Sequence, residues 1–210
     1  MIERKDLSMK KGLMLVVSGP AGSGKGTVNA MLLEREDFAF SVSATTRAPR
    51  PGEVDGVNYH YITREEFLAR IDSGDMLEYT EYCGNFYGTP LREAEEVMQS
   101  GKNLILEIEV EGARNVKAKY PDAVLVLLLP PSYSEQEARL RGRGTETEEK
   151  ILLRLARAKE EVALADCYDY VVYNFDGKAR DAADQILSIV EAEKLSIRRN
   201  PDVAKNYLNA

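Results

Sequence analysis

Gly19-Pro20-Ala21-Gly22-Ser23-Gly24-Lys25-Gly26-Thr27 stands between the apolar run Leu13-Met14-Leu15-Val16-Val17 and the segment Val28-Asn29-Ala30-Met31-Leu32-Leu33. The first run is a strand's length and the last has helical character, so the stretch predicts a buried strand, a glycine turn and a helix. Glycines in such a turn let successive backbone N–H groups converge on one concavity, and the helix N-terminus adds partial positive charge. An anion of phosphate size is held there, with Lys25 as the mobile full charge. The spacing fits GxxxxGK[ST] from Gly19 to Lys25, except that Gly26 stands where the motif carries a hydroxyl, which arrives one residue late as Thr27. A plain turn would account for one or two glycines, but not for Gly19, Gly22, Gly24 and Gly26 with a lysine among them.

Around this stretch the 210-residue chain has the length for one sizeable core with a smaller lobe set into it. No apolar run approaches the roughly 20 residues that cross a bilayer, and the charged Met1 to Lys11 lacks a signal core, which predicts a cytoplasmic protein. A net charge of -7 argues against a general nucleic-acid or membrane surface, so a bound polyanion must meet local arginines. Cys83 and Cys167 are too few for a zinc site or disulfide framework and read as reduced thiols. The single histidine, His60, reads as a half-buried strand residue without chemistry.

Downstream, strands and helices alternate with one interruption. The first helix is expected to reach about Arg35, followed by a strand from Phe38 to Val42. Ser43-Ala44-Thr45-Thr46-Arg47-Ala48-Pro49-Arg50-Pro51-Gly52-Glu53 is a loop exposing Arg47 and Arg50, because two prolines and a glycine forbid a helix. Val57 to Ile62 reads as a strand, and Thr63 with Glu66 three residues on caps a helix from Arg64 to Asp72. Strands over Met76 to Tyr82 and Phe86 to Thr89 flank the turn Cys83-Gly84-Asn85. Pro90 opens a helix that Gly101 closes. Then follow a buried strand from Asn103 to Glu109 ending in acids, a helix from Glu111 to Tyr120 and an apolar strand from Ala123 to Leu129. Helices from Ser134 to Arg141 and from Thr147 to Asp166, a strand from Tyr168 to Tyr173 and a helix from Lys178 to Lys194 complete the chain. The tail after about Leu195 is expected to fray.

This order predicts an α/β fold with a parallel sheet covered by helices, of the phosphate-loop (P-loop) NTPase type. A guanine-nucleotide switch would carry NKxD, which is absent. Instead, Arg47 and Arg50 form one basic segment and Arg139, Arg143, Arg154 and Arg157 another. Phosphoryl transfer asks a protein to align donor and acceptor and neutralise charge, so separate arginine clusters suit an enzyme with two phosphorylated substrates.

The loop, the Ser43 to Glu53 run, the turn Gly84-Asn85-Phe86-Tyr87-Gly88-Thr89, the acidic strand end Ile105 to Gly112 and the Arg139 to Glu149 segment together resemble the guanylate kinase family. The resemblance covers about Gly12 to Lys194. It implies a single domain over 12–194, with a core of 12–42 and 90–194, a small α+β nucleoside-monophosphate lobe over 43–89 and a helical lid over 134–150; 1–11 and 195–210 would be flexible tails. Its implied reaction is ATP + GMP = ADP + GDP with Mg²⁺ as cofactor, and its implied partners are ATP and GMP, with no nucleic acid or membrane. The oligomeric state is left open.

By the same resemblance Arg47, Arg50, Tyr59 and Tyr87 hold the GMP phosphate, and Ser43, Glu78, Thr89 and Glu109 face the guanine. Gly19, Pro20, Ala21, Gly22, Ser23, Gly24, Lys25, Gly26 and Thr27 hold the ATP phosphates, with Arg139, Arg143 and Arg154 reaching them from the lid and Asn174 near the adenine. Lys25, Arg47, Arg139, Arg143 and Arg154 are the implied catalytic group. The family commonly has Asp where this chain has Glu107 and Glu109. With Gly26 in the hydroxyl position no side chain is assigned to the metal, and Mg²⁺ would lean on nucleotide oxygens and water. The GKGT ending also resembles adenylate kinases. Two alternatives stay open: a silent module binding a phosphorylated peptide, and a kinase for another nucleoside monophosphate. Solvated helix faces are the expectation for Arg64, Arg70, Arg157 and Arg180.

Overall fold

The computed structural model describes residues 11–82, 84–142, 144 and 147–209. In chain order its elements begin with β1 (Met14–Ser18), α1 (Lys25–Leu32), β2 (Phe38–Phe40), β3 (Ala44–Thr45), β4 (His60–Tyr61) and α2 (Arg64–Asp72). β5 (Met76–Tyr82), β6 (Asn85–Pro90), α3 (Leu91–Gln99), β7 (Asn103–Leu106), α4 (Val110–Lys119) and β8 (Val124–Leu129) follow. The chain continues through α5 (Tyr133–Gly142), α6 (Glu148–Val162), β9 (Tyr170–Tyr173), α7 (Ala179–Leu195) and α8 (Val203–Leu208).

β1, β2, β7, β8 and β9 make a five-stranded sheet in the order β2-β7-β1-β8-β9, parallel at every pairing. β1 lies at its centre, with Leu15 opposite both Ile105 and Val124. A strand covered on both faces reads as unbroken apolar sequence, and alternate side chains serve opposite layers. Leu13, Leu15 and Val17 pack with Val28, Leu32, Ile186 and Val190 of α1 and α7. Met14 and Val16 pack with Ala94, Met98, Ala113 and Val116 of α3 and α4. The phosphate loop therefore leaves the C-terminal end of the central strand, where open α/β sheets bind their ligands.

The remaining strands form a second sheet, β4-β3-β6-β5, with antiparallel β3–β6 and β5–β6 pairs and a parallel β3–β4 pair. It has its own core of Ala44, Phe67, Met76 and Phe86, with the Phe67 and Phe86 rings stacked 5.2 Å apart. α2 starts with the expected capping box: Glu66 N donates to Thr63 Oγ1 at 3.1 Å and Thr63 N to Glu66 Oε2 at 2.9 Å. β5 and β6 fall out of step at Leu77, where Met76 faces Pro90 but Glu78 faces Thr89. This bulge sends Leu77 into the cluster beneath α3 and α4 while Met76 stays in the small core. α5 and α6 form a third packing unit through Leu140, Ile151 and Leu155, against which Ala21 of the loop rests.

Several expected boundaries move. The strand expected from Val57 shrinks to His60–Tyr61 because the turn at Asp55-Gly56 runs on through Asn58: Val57 N and Asn58 N both bond Val54 O, and Asn58 Oδ1 accepts from Val54 N. α1 ends at Leu32, and α6 ends at Val162, followed by a 3₁₀ turn over Ala165–Cys167. The chain after Leu195 does not simply fray. Ile197–Arg199 form a 3₁₀ turn and Val203–Leu208 a helix. Arg199 anchors this segment, giving Nε to Glu193 Oε2 at 2.9 Å and Nη2 to Asp122 O at 2.6 Å. Among the described residues no helix is long and apolar enough to cross a membrane. Met1–Lys10, Cys83, Arg143, Thr145, Glu146 and Ala210, including the start of the expected N-terminal tail, lie outside the described residues.

Candidate functional site

The loop is fixed by ties to distant parts of the chain. Gly24 caps α1 in the left-handed conformation, φ 90°, and a Cβ there would lie 2.3 Å from Asn174 Nδ2, so both backbone and space demand glycine. Asn174 is 5% exposed and donates Nδ2 to Ser23 O at 2.9 Å, bracing the loop from the end of β9. Gln136 of α5 donates to Ala21 O at 2.8 Å, and Lys25 Nζ bonds Gly19 O. Gly26 differs from Gly24: a Cβ there would meet nothing within 4 Å. Thr27 is exposed. The start of α1 places its partial positive charge at the loop, which favours an anion there.

A cavity of about 400 Å³ opens beside Lys25 and runs between the two sheets. Ser43, Arg47, Arg50, Tyr59, Glu78, Tyr87 and Glu109 line it, so seven of the eight residues expected at the acceptor nucleotide converge on one space. Thr89, the eighth, reaches it through Glu78, donating its hydroxyl to Oε1 at 2.8 Å. Arg47 lies 5.6 Å from the Tyr59 ring and 5.8 Å from the Tyr61 ring, a cation packed on aromatic faces. Burial raises the Tyr59 hydroxyl above its ordinary range, which keeps it a hydrogen-bond donor.

Glu78 is 5% exposed, and burial pushes its carboxyl above the ordinary range despite the Thr89 bonds. A Cβ on Gly112 would come within 3.2 Å of Glu78 Oε2, so the absence of a side chain in the first turn of α4 makes room for this carboxylate. A carboxylate removed from water pays for its desolvation unless donors face it, and guanine presents N1–H and a 2-amino group. Glu107 accepts from buried Asn29 Nδ2 at 2.8 Å.

β7 stops at Leu106, short of the expected Glu109, which instead is the N-cap of α4 and does not stand alone. Arg157 bonds it through Nη2 and holds Glu161 through Nε at 3.2 Å, which links α6 to the cavity. Arg157 lies, as expected, on an exposed helix face with surface salt bridges, one of which reaches the cavity residue Glu109. Arg139 donates to Glu135 Oε1 at 2.5 Å and to Asn174 O at 2.9 Å, beside the loop's brace. Arg154 is exposed on α6, and Arg143 lies outside the described residues. Asn29, Gln136, Gly112 and Glu53 were not singled out for the site by the sequence; the first three act through partners far away in the chain, whereas Glu53 acts on its near neighbours Arg47, Arg50 and Tyr61. His60 Nε2 meets Glu93 at 3.0 Å, away from the loop.

A glycine loop with its lysine at the head of a parallel sheet, opening onto an arginine-bearing cavity with a buried carboxylate, defines a phosphate-loop protein of the nucleotide-kinase class. A family model described as guanylate kinase matches residues 11–193. The chain is 51% identical over 188 residues to a guanylate kinase of Halalkalibacterium halodurans, covering 89% of this chain and 91% of that protein. It is 51% identical over 191 residues to a guanylate kinase of Lactococcus lactis, covering 90% and 92%. Its structure is similar to that of guanylate kinase from Anaplasma phagocytophilum, with TM-score 0.72, 34% identity and 92% of each chain covered. The chain belongs to the guanylate kinase family.

Proposed function

We propose that the protein catalyses ATP-dependent phosphorylation of GMP to GDP. The observation that supports this is a single cavity lined together by Lys25, Arg47, Arg50 and the buried Glu78. ATP places its phosphates on the loop from Gly19 to Thr27, and GMP lies in the cavity with its phosphate at Arg47, Arg50, Tyr59 and Tyr87. Ser43, Glu78, Thr89 and Glu109 meet the base. An oxygen of the GMP phosphate is the nucleophile, so no covalent intermediate on the protein is required. Lys25 and the arginines Arg139, Arg143 and Arg154 stabilise charge on the transferred phosphoryl group. The small sheet and the α5–α6 unit close over both nucleotides to keep water from taking the phosphoryl group.

Mg²⁺ fits this site as a passenger of ATP. Among the described residues no group of three or more His, Cys, Asp or Glu side chains is arranged to hold a metal, and the open space at Gly26 leaves room for a hydrated ion. When bound, the ion neutralises charge on the phosphate oxygens. The cytoplasm is the proposed location, where both nucleotides are available. The silent-module alternative gives no reason for Lys25 or for a braced loop beside the arginines. An ADP-release assay across GMP, dGMP, AMP and UMP tests the proposal: rapid turnover with GMP supports it, and a preference for AMP or UMP, or no turnover with any, overturns it.

A further inference from the structure

We propose that Glu53 is the positioning residue of the phosphate pocket, fixing both arginines in place before GMP arrives; this rests on the reading of the cavity as a GMP site. An ionised carboxylate offers about four lone-pair positions. Glu53 has four donors on it: Arg47 Nη1 and Nη2, each at 3.0 Å, the Arg50 backbone N–H at 2.7 Å and the Tyr61 hydroxyl at 2.8 Å. Glu53 thus orients Arg47 through its guanidinium and Arg50 through the backbone of its loop. The Arg47 and Arg50 donors hold the Glu53 carboxyl down to about 2, so it stays ionised across the working pH range.

The donors left on Arg47 show what this orientation achieves. A guanidinium carries five N–H groups. The Glu53 bonds take one hydrogen from each Nη, and a second Nη1 hydrogen goes to Ala48 O at 2.7 Å. The Tyr87 and Tyr61 hydroxyls also bond the guanidinium. Nε–H and the second Nη2 hydrogen are parallel donors on the other edge of the plane. That edge matches two oxygens of a phosphate. Glu53 and Ala48 together fix the plane of Arg47 and turn its Nε–Nη2 edge away from them as a bidentate face, on a side chain packed beside the Tyr59 and Tyr61 rings.

Glu53→Gln keeps the size but replaces one acceptor with an NH₂ that faces the Arg47 donors. Calorimetric titration with GMP and with guanosine, alongside steady-state kinetics, tests the role. The variant is expected to bind GMP at least tenfold more weakly, with guanosine affinity and the KM for ATP within about twofold of wild type, because only phosphate recognition runs through Glu53. Adding Glu53→Gln to Arg47→Ala should then weaken GMP further by threefold or less, whereas independent action would give the full product. Tyr61→Phe removes a single donor and should raise the GMP KM two- to threefold, a milder check should the glutamine variant fold poorly. Wild-type GMP affinity in Glu53→Gln, or equal losses for GMP and guanosine, overturns the positioning role. A wild-type protein that binds no GMP overturns the functional reading itself.

Discussion

Thr89 gives its hydroxyl to Glu78 at 2.8 Å inside a pocket that leaves the carboxylate 5% exposed. The Thr89 donors do not replace a hydration shell, and in the proposed function the N–H groups of the base complete it. Adenine would present a lone pair where guanine presents N1–H, and a site built to accept such donors discriminates by roughly 10⁴-fold. Glu78→Gln is therefore expected to cost GMP turnover at least about tenfold, about 1.4 kcal/mol of transition-state stabilisation, and to narrow the GMP/AMP ratio. Steady-state kinetics with both monophosphates measures it. Full GMP preference in the variant would move the base pocket elsewhere.

The raised Glu78 pKa gives this acid a signature in pH. Between its unfolded value near 4.5 and its higher folded value, the native state binds the extra proton, so its contribution to stability falls as pH rises through that window. In the proposed function GMP is met by the ionised form, so its KM should climb as pH drops toward the window from neutrality. Glu78→Gln should flatten that acidic limb. A KM profile from pH 5 to 8 for both proteins decides it, and an unchanged limb in the variant assigns the titration to another group.

Lys25→Met should abolish phosphoryl transfer with an unaltered circular dichroism spectrum and melting temperature close to wild type, since it removes a charge and no core contact. Turnover at the wild-type rate would take the loop out of the mechanism.

Arg139→Ala and Arg143→Ala should each lower kcat more than they raise the GMP KM, because the proposed function assigns both to the transferred phosphoryl group. For Arg139 the loss includes its bond to Asn174 O, on the residue that braces the loop. A pure effect on the GMP KM would place these side chains at the acceptor instead.

Two glycines two positions apart should respond oppositely to alanine. Gly24→Ala meets Asn174 Nδ2 at 2.3 Å in a left-handed backbone and is expected to destabilise by about 1–3 kcal/mol. Gly26→Ala enters open space within α1 and should be neutral or stabilising by up to about 1 kcal/mol. Urea denaturation of both variants measures the contrast. Equal losses would mean that the open space at Gly26 is needed for folding.

What the sequence revealed was local or periodic. The apolar runs of β1, β7 and β8, the Thr63 capping box and the loop spacing are each written in contiguous residues, and the structure has each element there, with β7 ending at Leu106 before the acids. Ser43, Arg47, Arg50, Tyr59, Glu78, Tyr87 and Glu109 could be named because family motifs carry them, and they share one cavity. Contacts between distant residues were not legible. Asn174 and Ser23 meet across 151 positions, and Arg157 and Glu109 across 48. The anchor at Glu193 escaped notice for the same reason. Its carboxylate, 5% exposed, takes bonds from Tyr170 at 2.6 Å and Arg199 at 2.9 Å, an arrangement that only the folded sheet and α7 create.

Leu77 occupies the extra position of the β5 bulge and plugs into a core that its own sheet does not share. For anyone building chimeras, the acceptor sheet is consequently not a sealed cassette. A transplant of residues 43–89 from a relative would carry its own small core intact, but would export one side chain cut to fit the host. A smaller residue arriving at that position would open a void under α3 and α4 costing about 2–5 kcal/mol if it were alanine. Redesign of acceptor preference would then register as lost expression rather than altered selectivity, and the remedy would be to graft the lobe while keeping the recipient's leucine.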